Sequence, residues 1–406
     1  MEKVAKILKK HPATIYRWIE SYNCSGRLPE LLRKNRRIVL AAVLSMLSCL
    51  GHAAEPLKIG MVTTLTGASA ETGRYETQGA KLAAEEVNKA GGVLGRPIEL
   101  AIEDSQSTNP GGVLAFSKLA GDKDIPAFIG PVFSTQIHAI APDIQRLGKP
   151  VMIGGTDPQL THMGNPWLFR FRPNDSYSAR VVADYGVKTL GKKKWAIVHS
   201  TDAFGTNGMK NLVEDLKAMG IEPALVQGYT NNCQDFTPVV LAVKQSGADV
   251  MNTYMTFETD VGIFARQLRQ LGVNNVWVGS PSIATTTALK LAGPALAGSY
   301  AVADFNRDSS SAAKEFAAKY EVAYKSTPDL FSAWPYDAVH VLAFAINNAK
   351  SLDPQRIREA LLSVKDYPGA EGPYNFDQNG DGLHGYNVVK NDNGKIVFIK
   401  HFDFSE

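Results

Sequence analysis

The chain has 406 residues, of which 44% are hydrophobic and 20% charged, a composition typical of globular domains and unlike that of disordered or membrane-embedded chains. This length is enough for two domains of ordinary size. Residues 1–54 carry ten Lys and Arg against three Asp and Glu, whereas residues 55–406 carry 33 against 37. The positive net charge of +3 therefore comes from residues 1–54, which we call the leader. Residues 55–406, the body, are slightly acidic and have no run of basic residues that would indicate nucleic-acid binding.

The first residues resemble a DNA-binding motif. Residues 4–22 have apolar positions at helical spacing in two blocks around His11-Pro12, which resembles the helix-turn-helix of transposase-type DNA-binding proteins. Residues 1–33 are therefore interpreted in two ways. They are either a helix-turn-helix-like leader or a segment in front of the true start of translation, near Leu31 or Leu32. The second interpretation is favoured, because an apolar, signal-like run is a poor hinge between a DNA-binding head and a body.

Residues 34–54 have the layout of a secretory signal peptide. Cations lead into the apolar run Ile38–Leu50, and small residues follow before Glu55. The run is shorter than the roughly 20 residues that span a bilayer, so we predict cleavage near Ala53 or Ala54. Only Cys233 then remains of the three cysteines, which excludes an intramolecular disulfide.

From Pro56 onward, strand-like segments alternate with helical patterns, which predicts an α/β fold with parallel sheets flanked by helices. The strand-like segments fall at 57–65, 97–104, 125–133, 149–155, 195–200, 223–229, 248–255 and 275–280. Helical patterns include 73–90, 134–148, 205–220 and 259–272. Breaks near 169–177 and 299–310 divide the series into two lobes, and Asp392-Asn393-Gly394 predicts a hairpin turn near the end.

Two motifs imitate cofactor sites. Gly91, Gly92 and Gly95 follow a helix where a dinucleotide-binding loop follows a strand, so they indicate a helix end and a turn. The stretch 377–382 begins like a calcium loop, but its twelfth position is Val388 where a bidentate Glu is needed, so it also indicates a turn. The eight histidines have no metal-ligand spacing and no catalytic motif is present. No enzyme activity, metal or cofactor is therefore expected.

One constellation of residues indicates a binding site. Ser134 follows one predicted strand, and Gly154 and Thr156 follow the next. Ser134 and Thr156 are expected N-caps of helices that begin at the carboxyl ends of adjacent strands, where α/β sheets bind ligands. Two helix N-termini and two hydroxyls predict a pocket for a small carboxylate, with Gly154 leaving room for its approach. Ordinary helix capping is the alternative interpretation.

The same stretch carries a resemblance to a known family. The body resembles the leucine/isoleucine/valine-binding proteins, type I periplasmic solute receptors of ABC importers, in the segments LKIGMVTTLTG, GAKLAAEEVNKAGGVLGRPIEL, IGPVFSTQ, GKPVMIGGTDPQLT, AIVHSTDAFG and YDAVHVLAFAI. The resemblance covers about residues 57–400 and implies two lobes, three interlobe crossovers and a ligand in the cleft. Lobe 1 is then predicted at 56–173 and 303–386, and lobe 2 at 174–302 and 387–406.

The resemblance also implies the ligand-binding residues. Carried over position by position, the carboxylate-holding serine is Ser134, the backbone carbonyl that follows it is that of Gly154, and the threonine is Thr156. Two cleft-lining tyrosines of the family are phenylalanine here, at Phe204 and Phe257. The other positions with which the family lines the cleft are Thr72, Phe133 and Phe331.

One departure from the family concerns the ligand's ammonium group. In the branched-chain amino-acid receptors an acidic residue after the strand equivalent to 275–280 holds this group, and here that position is Pro281. Glu258 and Asp202, in nearby loops, are candidates to replace it. Because a buried ammonium without a partner is unfavourable, two ligand classes stay open: an amino acid, as the family implies, or an aromatic or aliphatic carboxylic acid or amide.

The resemblance implies a substrate-binding protein that captures a small solute, most directly a branched-chain or other amino acid, and delivers it to permease and ATPase subunits in the inner membrane. Such a receptor is periplasmic and monomeric. A rival function is a ligand-responsive transcription regulator with residues 4–22 as its DNA-binding head, against which the apolar run and the acidic body argue. The N-terminus of the purified protein distinguishes them, since a start near Glu55 indicates a receptor and an intact Met1 a regulator.

Overall fold

The computed structural model describes residues 55–404. The predicted helix-turn-helix-like leader and signal peptide lie outside these residues. Within 55–404, every helix is too short or too polar to cross a membrane.

The first sheet is parallel throughout and has five strands. Its order is β2-β1-β3-β4-β5, so the strand order reverses between β1 and β3. The strands are β1 Leu57–Thr63, β2 Ile98–Asp104, β3 Phe128–Ile129, β4 Val151–Ile153 and β5 Leu168–Arg170.

The second sheet has seven strands in the order β14-β13-β10-β9-β8-β6-β7. Strands β6 to β10 are parallel, and β13 and β14 form an antiparallel hairpin at one edge. The remaining strands are β6 Trp195–Ser200, β7 Leu225–Tyr229, β8 Val250–Tyr254, β9 Val276–Gly279, β10 Tyr300–Ala303, the small pair β11 Tyr367–Pro368 and β12 Pro373–Tyr374, then β13 Gly385–Asp392 and β14 Lys395–Asp403.

Twelve α-helices within residues 55–404 flank the two sheets. They are α1 Ala70–Lys89, α2 Asn109–Ala120, α3 Ser134–Leu147, α4 Gln159–His162, α5 Asp175–Asp184, α6 Ala203–Ala218, α7 Thr237–Ser246, α8 Glu258–Gln270, α9 Thr286–Ala292, α10 Ser311–Tyr324, α11 Leu330–Ala349 and α12 Pro354–Leu362. The later helices α10 and α11 pack against α1, beside the first sheet.

Each sheet is buried on two faces, as parallel sheets require. In β1, Leu57, Ile59 and Met61 pack in the cluster that contains α1 and α11, whereas Val62 packs in the cluster on the opposite face with α2 and α3. This alternation follows from the two-residue period of a strand. The continuous apolar runs in the sequence therefore correctly indicated parallel sheets covered by helices on two faces.

The chain passes between the sheets three times: after β5, after β10 and before β13. The predicted α/β architecture with two lobes and three crossovers is confirmed. We call the first sheet with α1–α4 and α10–α12 lobe 1, and the second sheet with α5–α9 lobe 2. The sequence boundaries of the lobes stay our proposal.

The predicted turns agree with the structure. Helix α1 ends at Lys89, and Gly91 and Gly92 then take φ angles of 108° and 77°, which favour glycine. In the stretch 377–382, an Asp377 side-chain oxygen accepts hydrogen bonds from the backbone N–H groups of Asn379 and Asp381, which closes a turn. Among residues 55–404, no group of three or more His, Cys, Asp or Glu side chains is placed to hold a metal ion.

Candidate ligand-binding site

A cavity lies between the lobes, at the carboxyl ends of the strands. In the first sheet the strand order reverses beside β3, and in the second it reverses between β6 and β8, the positions where α/β sheets bind ligands. The cavity volume is about 30 Å³. Its lining residues are Val132, Phe133, Ser134, Thr156, Arg172, Phe204, Thr256, Ser282, Leu330 and Phe331.

The structure brings five of the eight predicted site residues to this lining: Phe133, Ser134, Thr156, Phe204 and Phe331. The other three, Thr72, Gly154 and Phe257, lie next to it in different roles. They are described below, together with two expectations about helix caps that are wrong.

Four long helices begin around the cavity, and three of them carry an acidic residue at the start. Asp202 is the N-cap of α6, Asp329 is the N-cap of α11, and Glu258 lies in the first turn of α8. Helix α3, which begins at Ser134, has no side-chain cap and no acid in its first turn. The N-terminus of a helix attracts anions, and among these four helices α3 is the one whose start has no carboxylate of its own.

Ser134 is the first residue of α3 and not its N-cap, as the sequence had suggested; Phe133 takes the N-cap position with an extended backbone. The Ser134 hydroxyl oxygen accepts a hydrogen bond from the backbone N–H of Asp157 at 3.2 Å. Within residues 55–404, its own hydrogen has no acceptor, so it is free to be donated to a ligand. The side chain is 2% exposed.

Thr156 is not an N-cap either. Helix α4 begins at Gln159 and is only four residues long, and the turn before it is closed by Asp157, which accepts from the Gln159 N–H at 3.0 Å. The Thr156 hydroxyl instead donates to Asp175 at 2.9 Å. Burial raises the pKa of Asp175 to about 7. The predicted pair of helix N-termini is therefore reduced to one, that of α3.

Arg170 holds the loop that carries Thr156. The side chain is fully buried, and its Nε donates to Asp381 at 2.7 Å. Its two terminal nitrogens donate to the carbonyls of Gly155, Asp157 and Pro158 and to the hydroxyl of Thr161. All five N–H groups are thus bonded, which fixes residues 155–158 against lobe 1.

Arg172 reaches the cavity from the next outward position of the same segment and is 6% exposed. Its Nε donates to Asp304 and its Nη1 donates to the carbonyl of Gly154 at 3.1 Å. The guanidinium carbon lies 5.8 Å from the centre of the Phe331 ring. The sequence analysis missed this residue, because it interpreted residues 169–177 as a break between the lobes.

Gly154 does not leave room for a ligand, contrary to the sequence expectation. A Cβ added there would lie 2.8 Å from the Trp334 side chain and 3.0 Å from Val132. The missing side chain is therefore required by core packing. Its carbonyl, which the family resemblance assigned to ligand binding, accepts from Arg172.

Aromatic rings form the apolar walls of the cavity. Phe204, in the first turn of α6, packs edge-on against Tyr254, with ring centres 5.7 Å apart. Phe257 lies just outside the cavity and contacts Phe133 of lobe 1 in a T-shaped arrangement at 5.5 Å. The two phenylalanines at former tyrosine positions thus contribute no hydroxyl to this region.

Hydrogen bonds join the lobes beside the cavity, among them one between α1 and α8 and one between α6 and α3. The Thr72 hydroxyl of α1 lies 3.1 and 3.2 Å from the two carboxyl oxygens of Glu258 in α8. The N–H of Ala203 in α6 donates to the Thr135 hydroxyl of α3 at 3.2 Å. Thr72 therefore acts across the lobe interface instead of lining the cavity, and burial raises the pKa of Glu258 to about 7.

Neither candidate replacement for the acidic residue at position 281 lines the cavity. Glu258 is paired with Thr72, and Asp202 caps α6 while it also accepts from Thr256 at 2.5 Å and Asn231 at 2.7 Å. Pro281 itself begins a 3₁₀ turn, and the next residue, Ser282, contributes to the lining.

Five lining residues were not predicted: Val132, Arg172, Thr256, Ser282 and Leu330. Four of them are chain neighbours of residues already singled out, Phe133, Phe257, Pro281 and Phe331. A wider window around each predicted position would have included these four, whereas Arg172 required the three-dimensional structure.

The comparisons with known proteins agree with this architecture. The family model for periplasmic binding proteins matches residues 56–395. The Leu/Ile/Val-binding protein BraC3 of Rhizobium johnstonii is 30% identical over 355 residues, covering 86% of this chain and 94% of that protein.

Two crystal structures share the fold. LivJ of Streptococcus pneumoniae, a branched-chain amino acid transporter substrate-binding protein in complex with isoleucine, has a TM-score of 0.78 and 25% identity, covering 84% of this chain and 98% of that one. A solute-binding protein of an R. palustris ABC transporter, in complex with benzoate, has a TM-score of 0.79 and 20% identity, covering 85% and 96%. The chain therefore belongs to the periplasmic binding protein family, as a non-enzymatic substrate-binding protein of ABC transporters in the branched-chain amino acid group.

Proposed function

We propose that this protein captures a small carboxylate-bearing solute in the cavity between its lobes and delivers it to an ABC permease. The observation that carries the proposal is the start of α3, which has neither a cap nor an acidic residue and faces a cavity at the switch points of two sheets. By contrast, the starts of α6 and α11 are each capped by an aspartate side chain.

The ligand carboxylate takes the place of the missing cap. The Ser134 hydroxyl donates one hydrogen bond, and the first backbone N–H groups of α3 donate others. Within residues 55–404, the N–H groups of Ser134, Thr135 and Gln136 have no acceptor. Charge-assisted bonds of this kind are about twice as strong as bonds between neutral groups.

The apolar end of the ligand contacts rings from each lobe. Phe204 belongs to lobe 2, while Phe133 and Phe331 belong to lobe 1. A ligand that touches all three binds better when the lobes are together, which is the differential affinity that closure requires. Exclusion of water then strengthens the electrostatic interaction between the carboxylate and α3.

Transport follows from closure. The closed protein presents a surface formed by two lobes to the permease, and ATP hydrolysis by the partner subunits drives uptake. In this proposal residues 34–54 are a signal peptide cleaved near Ala53 or Ala54, and the mature protein acts as a monomer in the periplasm.

Calorimetric titration of Ser134→Ala tests the proposal, with ligands chosen from a thermal-shift panel of amino acids and carboxylic acids. The dissociation constant should rise by the equivalent of about 1–3 kcal/mol, because one donor to a buried charge is lost. The control is Ser117→Ala, which removes an exposed hydroxyl from α2 of the same lobe. Equal affinities in wild type and Ser134→Ala would contradict the proposed anchor.

A further inference from the structure

The described residues that line the cavity carry positive charge only. Among the residues of 55–404 that line it, Arg172 is the only charged side chain, and the others are apolar or carry hydroxyls. A ligand between the lobes therefore meets a cation and no carboxylate of the lining.

Arg172 also has a hydrogen-bond donor, Nη2, that no described residue uses. Its Nε is used by Asp304 and its Nη1 by the Gly154 carbonyl, but Nη2 has no hydrogen-bond acceptor within residues 55–404. Arg170, two residues earlier, has all five N–H groups bonded. Arg170 therefore supports a loop, whereas Arg172 has a free donor at the cavity.

Among the residues of 55–404 that line the cavity, none offers a carboxylate to an ammonium group. The Gly154 carbonyl accepts from Arg172, position 281 is proline, and the Thr156 hydroxyl, which donates to Asp175, offers an ammonium only an uncharged oxygen. Asp304 is paired with Arg172. Glu371, Glu76 and Asp175 are further buried acids near Arg172; none of them lines the cavity, and burial raises the pKa of each above its usual range.

We propose that Arg172 determines the ligand class: with Nη2 it binds the carboxylate that α3 anchors, and it disfavours any ligand that carries an ammonium beside that carboxylate. The substrates are then small carboxylic acids without an α-amino group. This inference rests on the proposed function. Its physical basis is that a desolvated ammonium near a guanidinium finds no carboxylate in the lining and is repelled at short range.

Matched ligand pairs test the inference on the wild-type protein. Each pair keeps the carbon skeleton and removes the amino group: leucine with 4-methylpentanoate, and phenylalanine with 3-phenylpropanoate. Calorimetry should show the deaminated member binding at least about tenfold more tightly. Leucine or phenylalanine binding as tightly as its partner, or more tightly, would overturn the inference while leaving carboxylate capture intact. Failure of every carboxylate to bind would overturn both.

Variants of Arg172 test whether this side chain causes the preference for deaminated acids over amino acids. Arg172→Met should weaken binding of the deaminated acids by at least about tenfold and narrow their advantage over the amino acids. Arg172→Lys keeps the positive charge but not the planar fork, so it should bind more weakly than wild type and keep the preference. This second variant also serves if Arg172→Met fails to fold.

The control is Arg146→Met, which removes an exposed cation at the far end of α3 that pairs with Asp143. This variant should bind both ligands of each pair with the same affinity as wild type. An unchanged preference in folded Arg172→Met would show that this side chain does not set the ligand class.

Discussion

Arg170 and Arg172 are separated by one residue, yet their hydrogen bonds give them different roles. Arg170 is bonded at every N–H and holds the loop that carries Thr156, whereas Arg172 has a free Nη2 at the cavity. Sequence alone shows two buried arginines without this difference, because it depends on which carbonyls the folded loop presents.

Loss of the Arg170 side chain should affect stability. Arg170→Met leaves Asp381 buried without its partner, and removing one member of a buried ion pair costs about 3–5 kcal/mol. Urea denaturation should report a decrease of this size in the free energy of unfolding. The double variant Arg170→Met/Asp381→Asn should recover part of it, since no unpaired charge remains. A loss below about 1 kcal/mol in the single variant would refute the supporting role.

For the candidate site residues, the sequence predicted the positions better than the hydrogen bonds and packing of the side chains. Ser134 and Phe204 line the cavity where the resemblance placed them. Gly154 and Thr156 lie in the expected loop, but Trp334 occupies the space beside one and Asp175 binds the other. These partners are distant in the sequence, so a local pattern does not reveal them.

At the scale of elements, the helix starts give the physical reason for the ligand position that we propose. Asp202 and Asp329 cap two of the helices that begin at the cavity, and α3 is left without such a group. The caps can be read from the sequence. That these helices converge on one cavity follows only from the order of strands in the two sheets.

The contact between α1 and α11 contains a buried acid that makes stability depend on pH. Glu76 of α1 accepts from Thr63 at 2.5 Å and from Trp334 of α11 at 3.2 Å. Burial raises its pKa from 4.5 to about 8. The folded protein therefore holds a proton that the unfolded chain releases, so the contribution of this group is complete below about pH 4.5 and is lost as the pH rises towards about 8.

Glu76→Gln should remove this dependence, because the amide does not titrate. Its free energy of unfolding, relative to that of wild type, should rise between about pH 5 and pH 8. The control is Glu85→Gln on the exposed face of the same helix, where Glu85 pairs with Lys89 at 3.5 Å; its effect should not change over this range. A difference between Glu76→Gln and wild type that stays constant with pH would contradict the raised pKa.

The elements themselves were largely predictable. Each of the eight strand-like segments contains a strand, and the four helical patterns correspond to α1, α3, α6 and α8. Strands β5 and β10 overlap the segments interpreted as breaks, because each has only three or four residues before the chain changes lobe. A strand of this length gives too short a pattern to be recognised.

At the scale of the whole molecule, the lobes are in contact around the cavity. Thr72 bonds Glu258, Ala203 bonds Thr135, and the rings of Phe133 and Phe257 meet. Each contact joins a lobe 1 residue to a lobe 2 residue beside the proposed ligand. In the proposed function, binding and closure are therefore coupled through the same few side chains.

The most direct test is a crystal structure of the protein with the carboxylate that raises its melting temperature most. The account predicts a carboxylate oxygen within about 3 Å of the Ser134 hydroxyl or the first N–H groups of α3, with the apolar end of the ligand against Phe204 and Phe331. A ligand outside the cavity, or one whose carboxylate points away from α3, would contradict it.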